Sequence, residues 1–546
     1  MSYFRGLRNH CAIAHCGRQG VASIVGNMKS VAARFSEHFD VIIVGGGPVG
    51  LMVACELALA RVRVMVAERR YDTDQTIKAF GLHISTVEAL RRRGLLPRVL
   101  EAQRLHTRNV LASLATRRRP LPPPDPAFAN AAGHFAGLTI PRDQVEYGDP
   151  RFGGPDMPRD MLPLSQQTLE RILAEHAVDL GVDLRRGAEP TDFTEDEDGV
   201  DVSLASGERL RCYWLVGADG GRSMVRGSAG FDFPGTDPEI TGRQALAEFE
   251  NPEVLRAGWN RTGTGFYVYT PLANRILTVE MDGPPDDRHS PITPSELQAS
   301  LRRVSGTDIT VASIETATRF TDNARQASTY VKGRVILAGD AAHVHSPFGG
   351  QGLNLGIGDA MNLGWKLAAT VRGWAPSGLL DTYTRERHPV GAWVLDWTRA
   401  QIALMRLDPR TESLRRIMGD LLGTPDGATH MVTKLTGTSQ RYDLPGDHPL
   451  VGRSAPDLDL AGGGRLDDVM RHGQAVLVGP ATLASAAEGR RGRLIHAESS
   501  DGPALLVRPD GHVAWASDGD HDLKALEEGV STWLGDPDQV EAGAHG

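Results

Sequence analysis

The chain has 546 residues, enough for three or four domains and a large buried core. Lys and Arg number 59 against 68 Asp and Glu, a formal net charge of −9, which argues against nucleic acid or a membrane surface as main partner, because phosphate binding needs concentrated positive charge. With 40% hydrophobic residues the composition is globular, and only four cysteines (Cys11, Cys16, Cys55, Cys212) exclude a disulfide framework and point to a reducing, cytoplasmic setting.

Residues 1–38 form an N-terminal extension in which Arg5, Arg8, Arg18, Lys29 and Arg34 precede the first acid, Glu37. That pattern suits an organellar transit peptide, or an untethered tail ahead of a start at Met28. Residues 39–44 are an apolar, β-branched run of the kind that forms a strand buried on both faces. A helix over 51–59 and a second strand over 62–67 complete a β-α-β unit. The apolar stretch 41–60 is broken by Gly45, Gly46, Gly47, Pro48 and Gly50 and carries Glu56, so it is not a membrane span.

Further along, a helix over 85–93 ends at Gly94, and the Arg- and Pro-rich 117–129 must be loop. A helix is predicted over 166–181 and a strand over 209–216. Runs 266–270 and 275–280, joined by turn-forming 271–274, predict an antiparallel hairpin in a separate sheet. Another buried strand (334–337) leads through a glycine-rich loop to a helix over 359–372. Acidic 195–198, ending in Gly199, reads as a solvated hairpin turn. Beyond about 445, apolar runs 475–478 and 504–507 and an amphipathic helix over 523–534 suggest an independent α/β domain.

Chemistry is carried first by Gly45-Gly-Gly47-Pro-Val49-Gly50, a GxGxxG loop between strand and helix. Gly45 permits the tight turn, Gly47 lets backbone approach a pyrophosphate, and Gly50 allows close helix–strand packing. The helix N-terminus offers N–H groups to the anion. Glu68, twenty-one positions after Gly47 at the end of the second strand, stands where an acid accepts from a ribose diol. Far downstream, Gly339-Asp340 ends another strand, followed by His345-Ser-Pro347-Phe-Gly-Gly-Gln-Gly352-Leu353-Asn354. Two anion-facing sites so far apart suit a long cofactor charged at both ends, a reduced flavin among them.

With Gly217-Ala-Asp219-Gly220-Gly-Arg-Ser223 between them, these motifs resemble the FAD-dependent aromatic hydroxylases, single-component flavoprotein monooxygenases of the para-hydroxybenzoate hydroxylase type, and in particular the branch acting on aromatic polyketides, rifampicin and hydroxyphenylpropionates. The resemblance spans about residues 39–540. It implies an α/β fold: a Rossmann-like, glutathione-reductase-type FAD-binding domain (39–115, 156–230, 326–400), an inserted mixed-sheet substrate domain (116–155, 231–325), a helical segment (401–445) and a thioredoxin-like domain (446–546). It places Gly45, Gly47, Val49 and Gly50 at the pyrophosphate, and Glu68 and Arg69 at the adenosine ribose. Gln166 is placed at the flavin linker and Asp219 near the FAD and NADPH phosphates. Asp340 falls at the ribityl or pyrophosphate segment, with Pro347, Gly352, Leu353 and Asn354 around the isoalloxazine. Lys78 stands before Gly81-Leu82-His83 where the family usually has arginine; it keeps the charge without the planar fork.

The implied activity is hydroxylation of an electron-rich aromatic substrate, with bound FAD, NADPH or NADH, and O2, through a flavin C4a-hydroperoxide. Baeyer–Villiger or ring-opening oxidation, and a non-catalytic flavin-binding or sequestering protein, are the alternatives. The expected partner is a small aromatic molecule, with the protein a monomer or homodimer. No metal site is expected: His343 and His345 lack ligand spacing and suit structural or flavin-adjacent roles. Cys55 reads as a packed small hydrophobe. Tyr267 and Tyr269 alternate with Phe266 and Val268, one pair packing and the other facing a pocket. No cysteine follows Cys212, which closes thiol–disulfide exchange to the C-terminal region. The pocket itself is expected from loops between 230 and 330 and helices of 390–440, and no catalytic side chain is identified.

Overall fold

The computed structural model describes residues 37–116, 129–152, 161–287, 290–499, 502–519 and 521–537. Residues 1–36 of the N-terminal extension and nearly all of the loop expected over 117–129 lie outside them, while Glu37 and His38 belong to the first strand. Strand β1 (Glu37–Val44), helix α1 (Pro48–Leu59) and strand β2 (Val64–Glu68) form the expected β-α-β unit, with β1 and β2 parallel. Ile42 and Ile43 have no exposure, as their unbroken apolar run requires. Proline opens α1, where its missing N–H costs nothing. Helices α2 (Ile84–Arg92) and α3 (Leu96–Thr116) precede a hairpin of β3 (Ala131–Phe135) and β4 (Leu138–Pro141). Helix α4 (Gln166–Asp179) is capped by Ser165, and β5 (Asp183–Arg186) joins β2 in parallel.

Strands β6 (Pro190–Glu195), β7 (Val200–Leu204) and β8 (Arg209–Gly217) form a meander. Its first turn is the acidic segment anticipated above: Asp196 Oδ1 accepts from Asp198 N–H and Gly199 N–H at 2.8 and 2.9 Å. Strand β8 also runs parallel to β1. After helix α5 (Met224–Ser228) come β9 (Gly235–Thr236), β10 (Thr241–Phe249), β11 (Gly258–Arg261), β12 (Gly265–Thr270), β13 (Arg275–Glu280), helix α6 (Pro294–Ser305) and β14 (Val311–Phe320). Five of these strands make a separate antiparallel sheet in the order β11-β12-β13-β10-β14, containing the expected β12–β13 hairpin. The alternation in β12 divides its side chains. Tyr267 and Tyr269 pack with Leu297, Leu301 and Val304 of α6, while Phe266 and Val268 join the main core on the other face.

The chain returns through β15 (Ala324–Gln326), β16 (Val331–Lys332), β17 (Val335–Leu337) and β18 (His343–Val344) to helices α7 (Gln351–Val371), α8 (Asp381–Met405), α9 (Pro409–Leu422) and α10 (Pro425–Leu435). Strand β17 adds to β8 in parallel, giving a main sheet in the order β16-β17-β8-β1-β2-β5. Helix α7 begins at Gln351, not near 359 as the sequence suggested. Glycine normally weakens a helix, but Gly356 and Gly364 lie on one face, and a Cβ on either would come within 2.5 Å of Val49 or Glu56 on α1. Helix propensity yields here to the close packing of two helices.

The C-terminal unit contains α11 (Leu466–Val469), β19 (Ala475–Gly479), β20 (Leu494–Glu498), β21 (Ala504–Val507), β22 (Val513–Ser517) and α12 (Leu523–Leu534), with sheet order β20-β19-β21-β22. Only the β19–β20 pair is parallel. This unit is not independent. Its core includes Trp365 and Ala369 of α7, and Arg508, 1% exposed, donates to both Glu386 carboxylate oxygens of α8 at 2.9 and 2.7 Å. Lys366 Nζ lies 2.9 Å from the same carboxylate. Burial alone would raise the Glu386 carboxyl, but the Arg508 and Lys366 charges outweigh it and hold its pKa at about 2.

A carboxyl depressed on folding stabilises the protein above its unfolded value of 4.5, and that stability is lost as pH falls towards 2. Melting temperature is therefore expected to drop between pH 4.5 and 2, and less steeply in Glu386→Gln. At neutral pH Glu386→Ala should cost about 3–5 kcal/mol in denaturant unfolding, because it leaves buried Lys366 without a carboxylate and Arg508 with Asp510 alone.

Candidate active site

The three motifs meet at the carboxyl ends of adjacent parallel strands, β17, β8 and β1, with Glu68 closing β2 beside them. This is the edge where open α/β sheets bind ligands. Gly45 turns with φ +110°, and a Cβ there would lie 2.3 Å from the Ala218 carbonyl oxygen of the second motif. A Cβ on Gly50 would sit 2.0 Å from the Gly45 carbonyl oxygen, whereas one on Gly47 would meet nothing within 4 Å. Gly47 thus borders open space at the start of α1, whose first N–H groups have no side-chain cap. Gly46 N–H donates to Glu68 Oε2 at 2.7 Å and Arg70 N–H to Oε1 at 2.9 Å, which fixes the carboxylate and leaves it further acceptor capacity.

The third motif closes on the first through Val49. Gly339, at φ +61°, would place a Cβ 3.0 Å from Val49 Cγ2, and Gly356 one at 2.5 Å from the same atom. Asp340 is exposed, with no hydrogen-bond partner among the described residues. A Cβ on Gly352 would have His345 Nε2 at 3.6 Å and Asp340 Oδ1 at 3.8 Å, so these three positions converge at the start of α7. Leu353 is buried there and Pro347 exposed. Asp219 Oδ2 accepts from Val225 N–H at 3.1 Å, while its buried Oδ1 has no partner among the described residues.

Other expected residues take different places. Asn354 spends its amide on backbone: Oδ1 accepts from His83 N–H at 2.8 Å, and Nδ2 donates to Gly350 and Gly81 carbonyls at 2.8 and 3.3 Å. It positions the loop before α7. Lys78 pairs with Asp74 at 2.9 Å. Burial would raise that carboxyl, yet hydrogen bonds from Lys78 and Thr76 hold it at about 2. Arg69 is exposed. Gln166 is half-buried at the first turn of α4, and its neighbour Gln167, not Gln166, donates to the Asp74 and Thr76 carbonyls at 3.2 and 2.7 Å. Cys55 is buried, its thiol pushed up by desolvation.

Two groups escaped the sequence reading. One is a buried brace: Asp359 Oδ2 accepts from Gly339 N–H at 3.1 Å and pairs with His343 Nε2 at 2.7 Å, while Oδ1 accepts from Arg387 Nε at 2.8 Å. His343 therefore orders the third motif. The other is a wall of rings. Phe348, next to Pro347, lies 6.0 Å from Trp259 and 5.8 Å from Phe320; Trp259 lies 4.3 Å from His134 and Phe135 lies 4.7 Å from Trp397. Gln401 ties the wall together, accepting from Ala136 N–H at 3.1 Å and donating to the Phe348 carbonyl at 3.2 Å. The i, i+4 glycine spacing of α7 was readable in the sequence. The rings, scattered between 134 and 397, carry no local signal.

A glycine cradle open at Gly47, an uncapped helix N-terminus and the orphaned Asp219 Oδ1 together fit a dinucleotide with a pyrophosphate. No group of three or more His, Cys, Asp or Glu able to hold a metal occurs among the described residues. Comparison with known proteins agrees with the dinucleotide site. Residues 38–398 match the FAD binding domain family, and residues 448–537 match the aromatic-ring hydroxylase C-terminal family. A rifampicin monooxygenase of Streptomyces venezuelae is 42% identical, over 91% of this chain and 99% of its own. A 12-dehydrotetracycline 5-monooxygenase/anhydrotetracycline 6-monooxygenase of Streptomyces rimosus is 37% identical, over 92% and 99%. The solved anhydrotetracycline hydroxylase of Streptomyces rimosus superimposes with a TM-score of 0.77 at 36% identity, covering 92% of this chain and 100% of that one.

The chain belongs to the FAD-dependent aromatic hydroxylase family of flavoprotein monooxygenases. Gly356→Ala should push α7 from α1 and lower the FAD retained on purification, read as the ratio of flavin to protein absorbance. Val49→Ala in the same chain should restore much of it, since it removes the methyl that a Cβ at 356 would meet at 2.5 Å.

Proposed function

We propose that the protein hydroxylates an electron-rich aromatic substrate, phenolic or polyketide, using FAD, NADPH or NADH, and O2. The observation that carries this reading is the ring wall of Phe348, Trp259, Phe320 and His134 between the α7 loop and the five-stranded sheet. Planar aromatic ligands pack well on such surfaces, and a ligand seated there would be shielded from water on that side. The relatives named above are monooxygenases of rifampicin, 12-dehydrotetracycline and anhydrotetracycline, which supports the substrate class.

Gly45, Gly47, Val49 and Gly50 would hold the pyrophosphate, Glu68 and Arg69 the adenosine ribose, and Gln166 the linker. Asp219 and Asp340 would take the groups between. The first N–H groups of α7, at Gly352 and Leu353, would face the flavin's pyrimidine edge with Pro347 beside it, where helix polarity favours negative charge. Asn354 keeps that helix end in place, and Lys78, paired with Asp74, would supply positive charge beside the cofactor. When bound and reduced, FAD supplies an activated form of O2. The protein's own task is to orient the ring and hold the phenolic proton. His134 Nδ1 is buried with no partner among the described residues, and desolvation lowers its pKa to about 4, so it stands neutral as an acceptor for a phenol O–H.

The C-terminal sheet, with its second strand parallel to the first and the last two antiparallel, supports the thioredoxin-like reading, and its ion pair to Glu386 of α8 and the hydrogen bond from Asn362 of α7 to Asp510 support a bracing role. No helix among the described residues is long and apolar enough to cross a membrane.

The test is turnover under ¹⁸O2 with a phenol and polyketide panel. One labelled oxygen on a ring carbon is expected. Label inserted between a ketone and its neighbour would instead mean Baeyer–Villiger chemistry, and NADPH-independent inertness a non-catalytic flavoprotein. Trp259→Ala should raise KM roughly tenfold with FAD content unchanged, as loss of one aromatic contact predicts.

A further inference from the structure

The first turns of α7 separate two spaces. Gly352 and Gly356 face Asp340, His345 and α1. Gln351, Asn354 and Leu355 lie about a third of a turn round the helix, at roughly 100° per residue, and line a different cleft of about 410 Å³. The first half of α8 and the segment leaving α10 form its other walls. That volume is within the range of small-molecule sites.

Three cations stand on these walls without a carboxylate partner among the described residues. Arg385 is exposed; Lys434 Nζ lies 5.6 Å from the Trp393 ring centroid; Arg441 Nε donates only to the Val451 carbonyl, at 2.8 Å. Of the acids in the cleft, Glu386 is committed to Arg508 and Lys366, and Asp443 is at the exposed rim. Val390, Trp393 and Val394 supply an apolar side. His83, 2% exposed, also lines the cleft, and its buried Nε2 has no hydrogen bond among the described residues. Burial lowers its pKa to about 4, against a smaller upward pull from the Gly349 backbone, so the ring is neutral.

We propose that this cleft is a second small-molecule site, behind the loop before α7 and lined by none of the rings His134, Trp259, Phe320 and Phe348, that takes an aromatic carboxylate. The ring lies along Trp393 and Val394, the carboxylate meets Arg385 and Lys434, and His83 Nε2 completes its hydrogen bonding with a polar substituent. Charge-assisted hydrogen bonds give the anion its advantage over a neutral ring of equal shape. The site does not depend on the reaction proposed above.

Calorimetric titration of the FAD-loaded protein with 2-naphthoate tests it. One saturable site is expected, with 2-naphthamide binding about tenfold more weakly. The Arg385→Ala/Lys434→Ala variant should lose about tenfold in affinity, or Arg441→Ala severalfold if the double variant does not fold, with flavin absorbance checking both. Trp259→Ala, in the ring wall and outside the cleft, should bind 2-naphthoate as the parent does. Absence of saturable binding, equal binding of the amide, or loss only in Trp259→Ala would overturn the proposal.

Discussion

Helices α1 and α7 approach so closely that glycine is required at their contact. Val49 fits between Gly339 and Gly356, and Glu56 lies where a Cβ on Gly364 would be. Everything at the site follows from that approach. It brings the loop after β1 against the turn after β17, so the two ends of one long cofactor can be held by segments nearly three hundred positions apart. Close-packed interiors are not continuously deformable, and so the distance between the first and third motifs is set by backbone.

Buried polar side chains hold that arrangement. Asp359 accepts from the Gly339 N–H and is itself held by His343 and Arg387. Arg226 spans the second and third motifs, donating to the Gly221 and Ala341 carbonyls at 2.9 and 3.0 Å. Satisfied networks of this kind rigidify a site, while a half-satisfied one would be costly. The same logic reaches the C-terminal unit, where Arg508 is wedged between Trp533, at 4.5 Å, and the Glu386 carboxylate of α8. Helices α7 and α8 are thus braced from both sides.

Much of this was legible beforehand. The run ending at Val44, the glycines after it and Glu68 at the next strand end define a dinucleotide unit by local chemistry alone. The β12–β13 hairpin was equally plain, because its turn residues sit between two β-branched and aromatic runs. Two expectations needed correction. The glycines from 352 to 358 looked like loop and are helix, since packing against α1 outweighs their intrinsic preference. The C-terminal region looked independent, but its core borrows Trp365 and Ala369 from α7.

What the sequence determined by itself is whatever depends on neighbours in the chain: strand runs, the glycine turn, the helix start at Pro48, the acid at a fixed offset, and the absence of cysteine beyond Cys212. Only the tertiary structure decided that the Asn354 amide bonds to backbone, that Tyr267 and Tyr269 turn to α6, and that His134, Trp259, Phe320 and Phe348 share one wall. These relations join residues that are remote along the chain and chemically ordinary one by one. Their meaning arises from shared burial, and burial is a property of the packed molecule.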